Sequence, residues 1–336
     1  MSELNKIALK ILSKGKGILA ADESNGTMTK RLDAVEVSST PENRLHFREA
    51  LFSSERMEDC IGGVILYDET INQLSSSGKT IPELIGESGA VPGIKVDTGA
   101  KDLANSLDEK VTEGLDGLRE RLKKYYELGA RFTKWRGVYN ISEKYPSKLA
   151  IQSNAHALAR YSTLVQESGM VPIVEPEVLM DGDHSADDCL IKTSEVIQKC
   201  FEELLIHKID LTGIILKPNM ILAGNKSKNK ISNEEVSSKT LECLKKSVPN
   251  EVPGIAFLSG GQSEIEATEN LNLINKNNNT NFIMTYSYGR ALQQSALKFW
   301  GKDIKNIEGT QKIFNHRARM NTLAAQGKWS KELENK

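Results

Sequence analysis

The sequence has no long hydrophobic run and no excess of charge of one sign. No apolar stretch approaches the length of about 20 residues that a membrane-spanning helix requires, so we expect no membrane association. The 44 basic and 45 acidic residues give a formal net charge of -1, which argues against broad electrostatic binding to nucleic acid. These absences leave room for a local basic pocket on an otherwise balanced protein.

Cysteine is also scarce, and its placement excludes two common uses. The four cysteines, Cys60, Cys189, Cys200 and Cys243, form no CxxC pair and have no zinc-type spacing. We therefore expect reduced thiols, which are typical of a cytoplasmic protein. Residues 1–16 have apolar positions at helical spacing interrupted by charge, which predicts an amphipathic helix and not a signal peptide.

Short apolar runs that end in polar residues recur along the chain and alternate with helical patterns. Eight such runs at intervals of roughly 30 to 45 residues predict a (β/α)₈ TIM barrel. We expect one domain over residues 1–336, with an N-terminal helix, a C-terminal helical tail and little to bury beyond Lys328. A doubly wound open sheet is disfavoured, because no run is followed by GxGxxG and nearly every run has a polar end. The eight runs are residues 17–24, 61–68, 93–97, 130–137, 171–177, 213–219, 254–261 and 281–290.

In a barrel, the carboxyl ends of the strands meet at one mouth, where barrel enzymes place their sites. Structural ion pairing explains two or three charged strand ends, but not so large a set at the same end of eight strands. We therefore expect one pocket there, lined by Asp22, Lys95, Lys134, Arg136, Glu175, Glu177, Lys217, Ser259 and Arg290.

Lys217 follows the apolar part of the run 213–219, just before Pro218. One interpretation is a lysine whose ammonium reaches solvent past the strand end. The other is an amine held in an apolar setting, where it can lose its proton and attack a carbonyl. A neighbouring cation favours that loss, and Lys134 is the candidate to supply it.

Glu175 and Glu177 are two residues apart, so both side chains point to the same side of a strand. Two close carboxylates can keep their pKa values apart, so that one exchanges protons while the other stays ionised. The alternative for Glu177 is that it only neutralises a lysine.

Two candidate anion sites flank the lysine. Ser259 and Gly260 offer a hydroxyl and bare backbone N–H groups after the seventh run, and Gly289 and Arg290 follow the eighth. Loops after strands seven and eight are where barrels commonly bind phosphate. A second anion site is predicted from Ser24, Thr27 and Lys95. Together they imply a substrate with phosphate at both ends.

Six motifs resemble those of the class I, Schiff-base fructose-bisphosphate aldolases, in that family's order and over nearly the whole chain to about Gly327. They are ILAADES at 18–24, KWR at 134–136, VPIVEPE at 171–177, LKPN at 216–219, FLSGGQS at 257–263 and YGR at 288–290. The resemblance implies an aldehyde-lyase of glycolysis and gluconeogenesis. Its reaction is reversible cleavage of fructose 1,6-bisphosphate to dihydroxyacetone phosphate and glyceraldehyde 3-phosphate.

The resemblance also implies residue roles. Lys217 is the expected Schiff-base lysine, Glu175 the proton-transfer residue, and Asp22 and Lys134 assist carbinolamine formation and C–C cleavage. The phosphate of the dihydroxyacetone half is expected at Ser259, Gly260, Gly289 and Arg290, and the other phosphate at Ser24, Thr27, Lys95 and Arg136.

Neither a metal nor another cofactor is expected, because the iminium does what a Lewis acid would. The resemblance further suggests a homotetramer. Eukaryotic members of the family end in a tyrosine that takes part in proton exchange, whereas the last tyrosine of this sequence is Tyr288. A slower protonation step or a different proton carrier is therefore expected.

Three other functions are weaker predictions. A metal-dependent aldolase needs clustered histidines, but the five histidines fall in helical or loop segments, and residues 181–184 (DGDH) are expected to form a solvated turn. A barrel isomerase or a transaldolase fits two phosphate sites less well. A binding scaffold, for instance for actin or an adhesin tail, is expected only as a second role. The five histidines are His46, His156, His184, His207 and His316.

Overall fold

The computed structural model describes residues 1–335, with only the backbone of Lys14, so the final residue of the predicted 1–336 domain, Lys336, lies outside it. The strands are β1 Gly17–Ala20, β2 Ile61–Leu66, β3 Val91–Lys95, β4 Gly99–Asp102, β5 Lys110–Glu113, β6 Phe132–Tyr139, β7 Val171–Val178, β8 Ile215–Leu216, β9 Gly254–Phe257 and β10 Ile283–Tyr288. The helices are α1 Glu3–Leu12, α2 Asn25–Asp33, α3 Pro41–Phe52, α4 Asp68–Ile71, α5 Ile81–Glu87, α6 Leu118–Glu127, α7 Lys148–Glu167, α8 Ala186–Ile206, α9 Asn233–Ser247, α10 Glu264–Asn277, α11 Arg290–Lys302 and α12 Ile307–Ala325. Among the helices of residues 1–335, none has both the length and the apolar character needed to cross a bilayer.

Eight parallel strands close a barrel in the order β1-β10-β9-β8-β7-β6-β3-β2, which confirms the predicted (β/α)₈ architecture. All eight apolar runs contribute a strand, although β8 is only two residues long because the turn Leu211–Gly213 precedes it. The β4–β5 hairpin was not predicted. Its two short strands are largely polar, β4 is mostly exposed and only Thr112 of β5 is fully buried. They pair with each other and not with the barrel, so they lack the apolar pattern that marks the barrel strands.

The barrel interior is a packed apolar core, and α1 closes its amino-terminal end. Ile11 of α1 packs against the strand side chains that point inward, among them Phe132 and Ile173. The fit is tight: a Cβ on Gly93 would lie 2.3 Å from the Phe132 ring. Because this core fills the lower part of the barrel, the polar side chains at the upper strand ends face a separate, closed-bottomed space.

The side chains of β6 alternate between its two faces. Phe132 points inward, whereas Thr133 and Trp135 face α7, where the Thr133 hydroxyl lies 2.6 Å from the Tyr161 hydroxyl and the Trp135 and Tyr161 rings are 5.4 Å apart. One face of the strand therefore fastens the outer helix layer, and the other presents Lys134 to the interior.

The chain beyond Lys328 is more firmly attached than we predicted. Trp329 is buried, its indole N–H donates to Glu334 at 2.7 Å, and Glu334 pairs with Arg317 of α12 at 2.6 Å. The expectation that this segment buries little is therefore wrong for Trp329. A single tryptophan in a charged stretch gives no periodic pattern from which its burial can be predicted.

Candidate active site

The predicted site residues all line one cavity at the carboxyl ends of the barrel strands. Its volume is about 320 Å³, and it opens between the loops that follow the strands. The sequence-predicted residues among its lining are Asp22, Ser24, Thr27, Lys95, Lys134, Arg136, Glu175, Glu177, Lys217, Ser259, Gly260, Gly289 and Arg290.

Lys217 stands directly after β8 and its side chain is buried. Its backbone N–H still donates to Val174 of β7 at 2.8 Å, which continues the strand pairing past Leu216 and fixes the direction of the side chain. The Lys217 Nζ lies 3.0 Å from Glu175 Oε1, and the Lys217 side chain is 5% exposed. The Lys217 ammonium therefore does not reach bulk solvent past the strand end, which excludes the first of the two interpretations.

Lys134 lies between Glu175, the partner of Lys217, and a second carboxylate, that of Asp22. Its Nζ lies 2.7 Å from Asp22 Oδ2 and 3.3 Å from Glu175 Oε2. Burial opposes ionisation of Asp22, but the charges of Lys134 and Lys217 outweigh it and hold the pKa of Asp22 well below its usual range. Burial also opposes the charge on Lys134, yet Asp22 and Glu175 raise the pKa of that ammonium. Two cations and two anions thus share one dry site.

Glu175 is the carboxylate between the two lysines. Its burial favours the neutral acid, but the charges of Lys134 and Lys217 prevail and lower its pKa. Glu175 Oε2 is buried and accepts no hydrogen bond from the described residues. Its nearest cation is Lys134 Nζ, at 3.3 Å.

Glu177 has a different partner. It pairs with Arg136 Nε, and Arg136 is one strand away on β6. This contact agrees with the alternative in which Glu177 neutralises a cation, although the partner is an arginine and not the lysine that we expected. The prediction that the two glutamate side chains share one side of the strand is correct. The pairing of Glu177 with Arg136 could not be predicted, because it depends on the β6–β7 register, in which Val138 lies opposite Glu177.

Backbone geometry supports an anion site after β9 and β10. Gly260 and Gly261 have φ of +40° and +80°, a left-handed conformation that favours glycine and turns the loop sharply. Gly289 caps the start of α11 and Arg290 is its first residue. Helix N–H groups, a loop hydroxyl and a guanidinium therefore border the same part of the cavity.

The wall that follows β1, the strand next to β10, has a second helix start. Ser24 caps α2, where its Oγ accepts from the Thr27 N–H at 3.4 Å. Lys95 Nζ lies 2.9 Å from Asp97 Oδ1. Arg31 also lines this wall and was not predicted, although it follows Thr27 by four residues and so shares its helix face.

Asp97, Glu23 and Ser287 are further lining residues that we did not single out. Asp97 follows Lys95 by two residues, so the alternation of an extended strand was a signal that could have found it.

None of the histidines lines this cavity within residues 1–335. We predicted a solvated turn for residues 181–184, but His184 is buried. The loop around Gly224 folds over it, and the Gly224 N–H donates to the His184 carbonyl at 2.9 Å. His156 and His207, which are distant in sequence, come together outside the barrel with Glu203.

Comparisons with known proteins agree on one family. Residues 3–336 match the family model described as fructose-bisphosphate aldolase class-I. A probable fructose-bisphosphate aldolase class 1 of Xanthomonas campestris is 47% identical over 330 residues, 98% of this chain and 99% of that protein. The cytosolic fructose-bisphosphate aldolase 4 of Arabidopsis thaliana is 48% identical over 326 residues, 97% of this chain and 83% of that protein.

The fold is similar to a solved structure as well. Fructose-bisphosphate aldolase from Plasmodium falciparum, solved in complex with TRAP and a small-molecule inhibitor, has a TM-score of 0.96 against this chain. The two are 42% identical, and the match covers 98% of this chain and 95% of that one.

Proposed function

We infer that Lys217 is the Schiff-base residue of this chain, which belongs to the class I fructose-bisphosphate aldolase family. Members of the family are lyases of glycolysis that cleave fructose 1,6-bisphosphate reversibly to dihydroxyacetone phosphate and glyceraldehyde 3-phosphate. One observation carries the residue assignment: the Lys217 Nζ is buried beside Glu175, at 3.0 Å, in the cavity that both candidate phosphate sites border.

The first chemical step joins Lys217 to the C2 ketone. Glu175 Oε1 is placed to take the proton that the ammonium must lose, and the free amine then attacks C2. The carbinolamine loses its hydroxyl as water when Glu175 returns that proton. The product is a protonated imine, with one water formed and no net change in protons.

The second step breaks the C3–C4 bond. Glu175 removes the proton of the C4 hydroxyl, and C4 becomes the aldehyde carbon of glyceraldehyde 3-phosphate. The electrons of the C3–C4 bond form a C2=C3 double bond, those of the C=N double bond pass to nitrogen, and a neutral enamine remains on Lys217. Protonation at C3 and addition of water then release dihydroxyacetone phosphate and regenerate the amine. Since the iminium accepts the electrons, we propose that no metal is needed.

The remaining charged residues are assigned to positioning the catalytic groups and the substrate. We propose that Lys134 keeps Asp22 ionised at 2.7 Å and lets it orient the C4 hydroxyl. Arg136 fixes Glu177, which is assigned to catalysis as the second carboxylate beside Glu175. The phosphate nearest C1 is assigned to Ser259, Gly260, Gly289 and Arg290, and the distal phosphate to Ser24, Thr27, Lys95 and Arg136.

Two variants test the assignment of the phosphate ends. Fructose 1-phosphate lacks the distal phosphate, so Lys95→Met should lower kcat/KM for fructose 1,6-bisphosphate and leave that for fructose 1-phosphate unchanged. Arg290→Met should lower both, by about 10- to 100-fold, because a charged hydrogen bond contributes about 1.5–3 kcal/mol. Lys30→Met, on the exposed side of α2, is the control. Equal losses on both substrates for Lys95→Met would contradict the assignment.

We also propose a single domain, a homotetramer and a cytoplasmic location. The domain is supported by the continuous barrel, the location by the cytosolic relative, and the tetramer by exposed Ile191, Leu205 and Ile206 on α8. Sedimentation of the purified chain tests the oligomer. Binding of an actin-like or adhesin-tail partner is proposed only as a second role, since the site is complete, and a pull-down with Lys217→Ala separates it from catalysis.

A further inference from the structure

Two histidines and a carboxylate meet on the outer helix layer, away from the catalytic cavity. His156 lies in α7, Glu203 in the last turn of α8, and His207 at the carboxyl end of α8. One ligand atom from each of the three lies within 4.8 Å of the other two. None of the three lines the catalytic cavity, so the chemistry of the barrel does not account for their meeting.

Glu203 is the buried member of this group. Its side chain is 6% exposed, Oε1 accepts from Gln152 Nε2 at 2.6 Å, and Oε2 lies 3.1 Å from His156 Nδ1. A buried carboxylate fixed on one oxygen and facing an imidazole on the other suits a cation.

His207 is held in the form that binds metals. Its Nδ1 lies 2.9 Å from the Glu203 backbone carbonyl, which can only accept a hydrogen bond. The proton therefore sits on Nδ1, and the neutral ring has its lone pair on Nε2. Metal-binding histidines are commonly fixed by such a contact to a carbonyl. His207 also stands at the carboxyl end of a 21-residue helix, the negative end of its dipole.

We propose that His156, Glu203 and His207 bind a divalent transition-metal ion of the zinc type, which joins α7 to α8. Tetrahedral zinc with ligands at about 2.0–2.1 Å holds them roughly 3.4 Å apart. The longest ligand separation here must therefore shorten by up to about 1.4 Å. His156 can supply this movement, because half of its side chain is exposed.

The fourth ligand is water, since the site lies at an open groove lined by His156, His207, Arg160 and Thr163. Lys199, whose Nζ is 3.6 Å from Glu203 Oε1, opposes the ion by charge. We therefore expect weaker binding than in a closed four-ligand structural site. An ion that binds only the folded chain raises its stability. At a free ion concentration of 100 times Kd, the melting temperature of a chain of 336 residues rises by about 4 °C.

The test is titration of the full chain with Zn²⁺ after EDTA treatment and dialysis, under reducing conditions. Calorimetry should give one ion per chain, and Co²⁺ in its place should show a spectrum of nitrogen and oxygen ligands. His156→Ala, His207→Ala and Glu203→Gln should each lower the affinity at least tenfold and abolish the rise in melting temperature. The matched control is His316→Ala, because His316 also lies beside a glutamate, at 3.6 Å, but has no second histidine.

Two measurements keep the test independent of mutant folding. Melting temperatures in EDTA identify a variant that has lost stability for another reason. In the unmodified chain, Zn²⁺ should protect His156 and His207, but not His316, from diethyl pyrocarbonate, as mapped by mass spectrometry. The proposal is wrong if the protection is absent, if binding survives the His156 and His207 variants, or if the Co²⁺ spectrum is that of thiolate ligands.

Discussion

Replacing Lys134 by methionine tests the charge balance of the catalytic cavity. The substitution keeps the length of the side chain but removes the ammonium that lies 2.7 Å from Asp22 and 3.3 Å from Glu175. Both carboxylates would then depend on Lys217 and on the smaller effects of Lys95 on Asp22 and of Arg136 on Glu175. In the unmodified chain Lys134, Asp22 and Glu175 have side chains no more than 12% exposed, so water cannot replace the lost cation without rearrangement.

The expected cost follows from the burial of that network. Removing one partner of a buried ion pair destabilises a protein by about 3–5 kcal/mol, because the remaining charge is left uncompensated. For 336 residues this corresponds to a melting temperature lower by about 4–7 °C. Lys192→Met is the matched control. Lys192 lies 3.3 Å from Glu195, but their side chains are 31% and 43% exposed, so its loss should cost less than about 1 kcal/mol.

The pH dependence separates electrostatics from lost packing. The folded-state pKa values of Asp22 and Glu175 are depressed. Their contribution is therefore present above the unfolded values of about 3.9 and 4.3 and is lost as pH falls through the lower folded values. Without Lys134 the folded-state pKa values of Asp22 and Glu175 rise. Protonation therefore removes their uncompensated charge at a higher pH in the variant than in the unmodified chain.

Urea unfolding of both variants and the unmodified chain, at about pH 7 and pH 4.5, measures these effects. We expect the stability deficit of Lys134→Met to shrink at the lower pH. A deficit that is equal at the two pH values, or no larger than that of Lys192→Met, would refute the electrostatic explanation.

Two further predictions concern proton transfer and packing. Glu175→Gln should slow cleavage by about 10²–10⁴-fold and Glu177→Gln by less, because only Glu175 lies beside Lys217; equal rate losses in a coupled assay would contradict the assignment. Gly93→Ala should destabilise the chain by about 1–3 kcal/mol, since its Cβ would lie 2.3 Å from the Phe132 ring. Gly86→Ala has open space at its Cβ and is the control; similar unfolding midpoints for the two would argue against tight barrel packing.

The barrel and its site were predictable because both depend on local patterns. Apolar runs with polar ends gave all eight barrel strands, and parallel strands force those ends to one mouth. Taken alone, a lysine at a strand end favours solvent exposure, so the local pattern around Lys217 does not predict its burial. Its burial against Glu175 depends on the neighbouring strand and is a tertiary property.

What was not predictable depends on contacts between distant residues. The pairing of Glu177 with Arg136 follows from strand register, and His156 and Glu203 are 47 residues apart on separate helices. The β4–β5 hairpin has mostly polar strands, of which only Thr112 is fully buried, so it leaves no hydrophobic period. Trp329 docks as a single side chain.

Borohydride trapping tests the central claim most directly. The chain is incubated with dihydroxyacetone phosphate, reduced with borohydride and digested, and the modified peptide is mapped by mass spectrometry. We predict one stable adduct, on Lys217, which EDTA does not affect and Lys217→Ala abolishes. An adduct on another lysine, or none together with cleavage that EDTA abolishes, would mean that Lys217 is structural and the proposed mechanism is wrong.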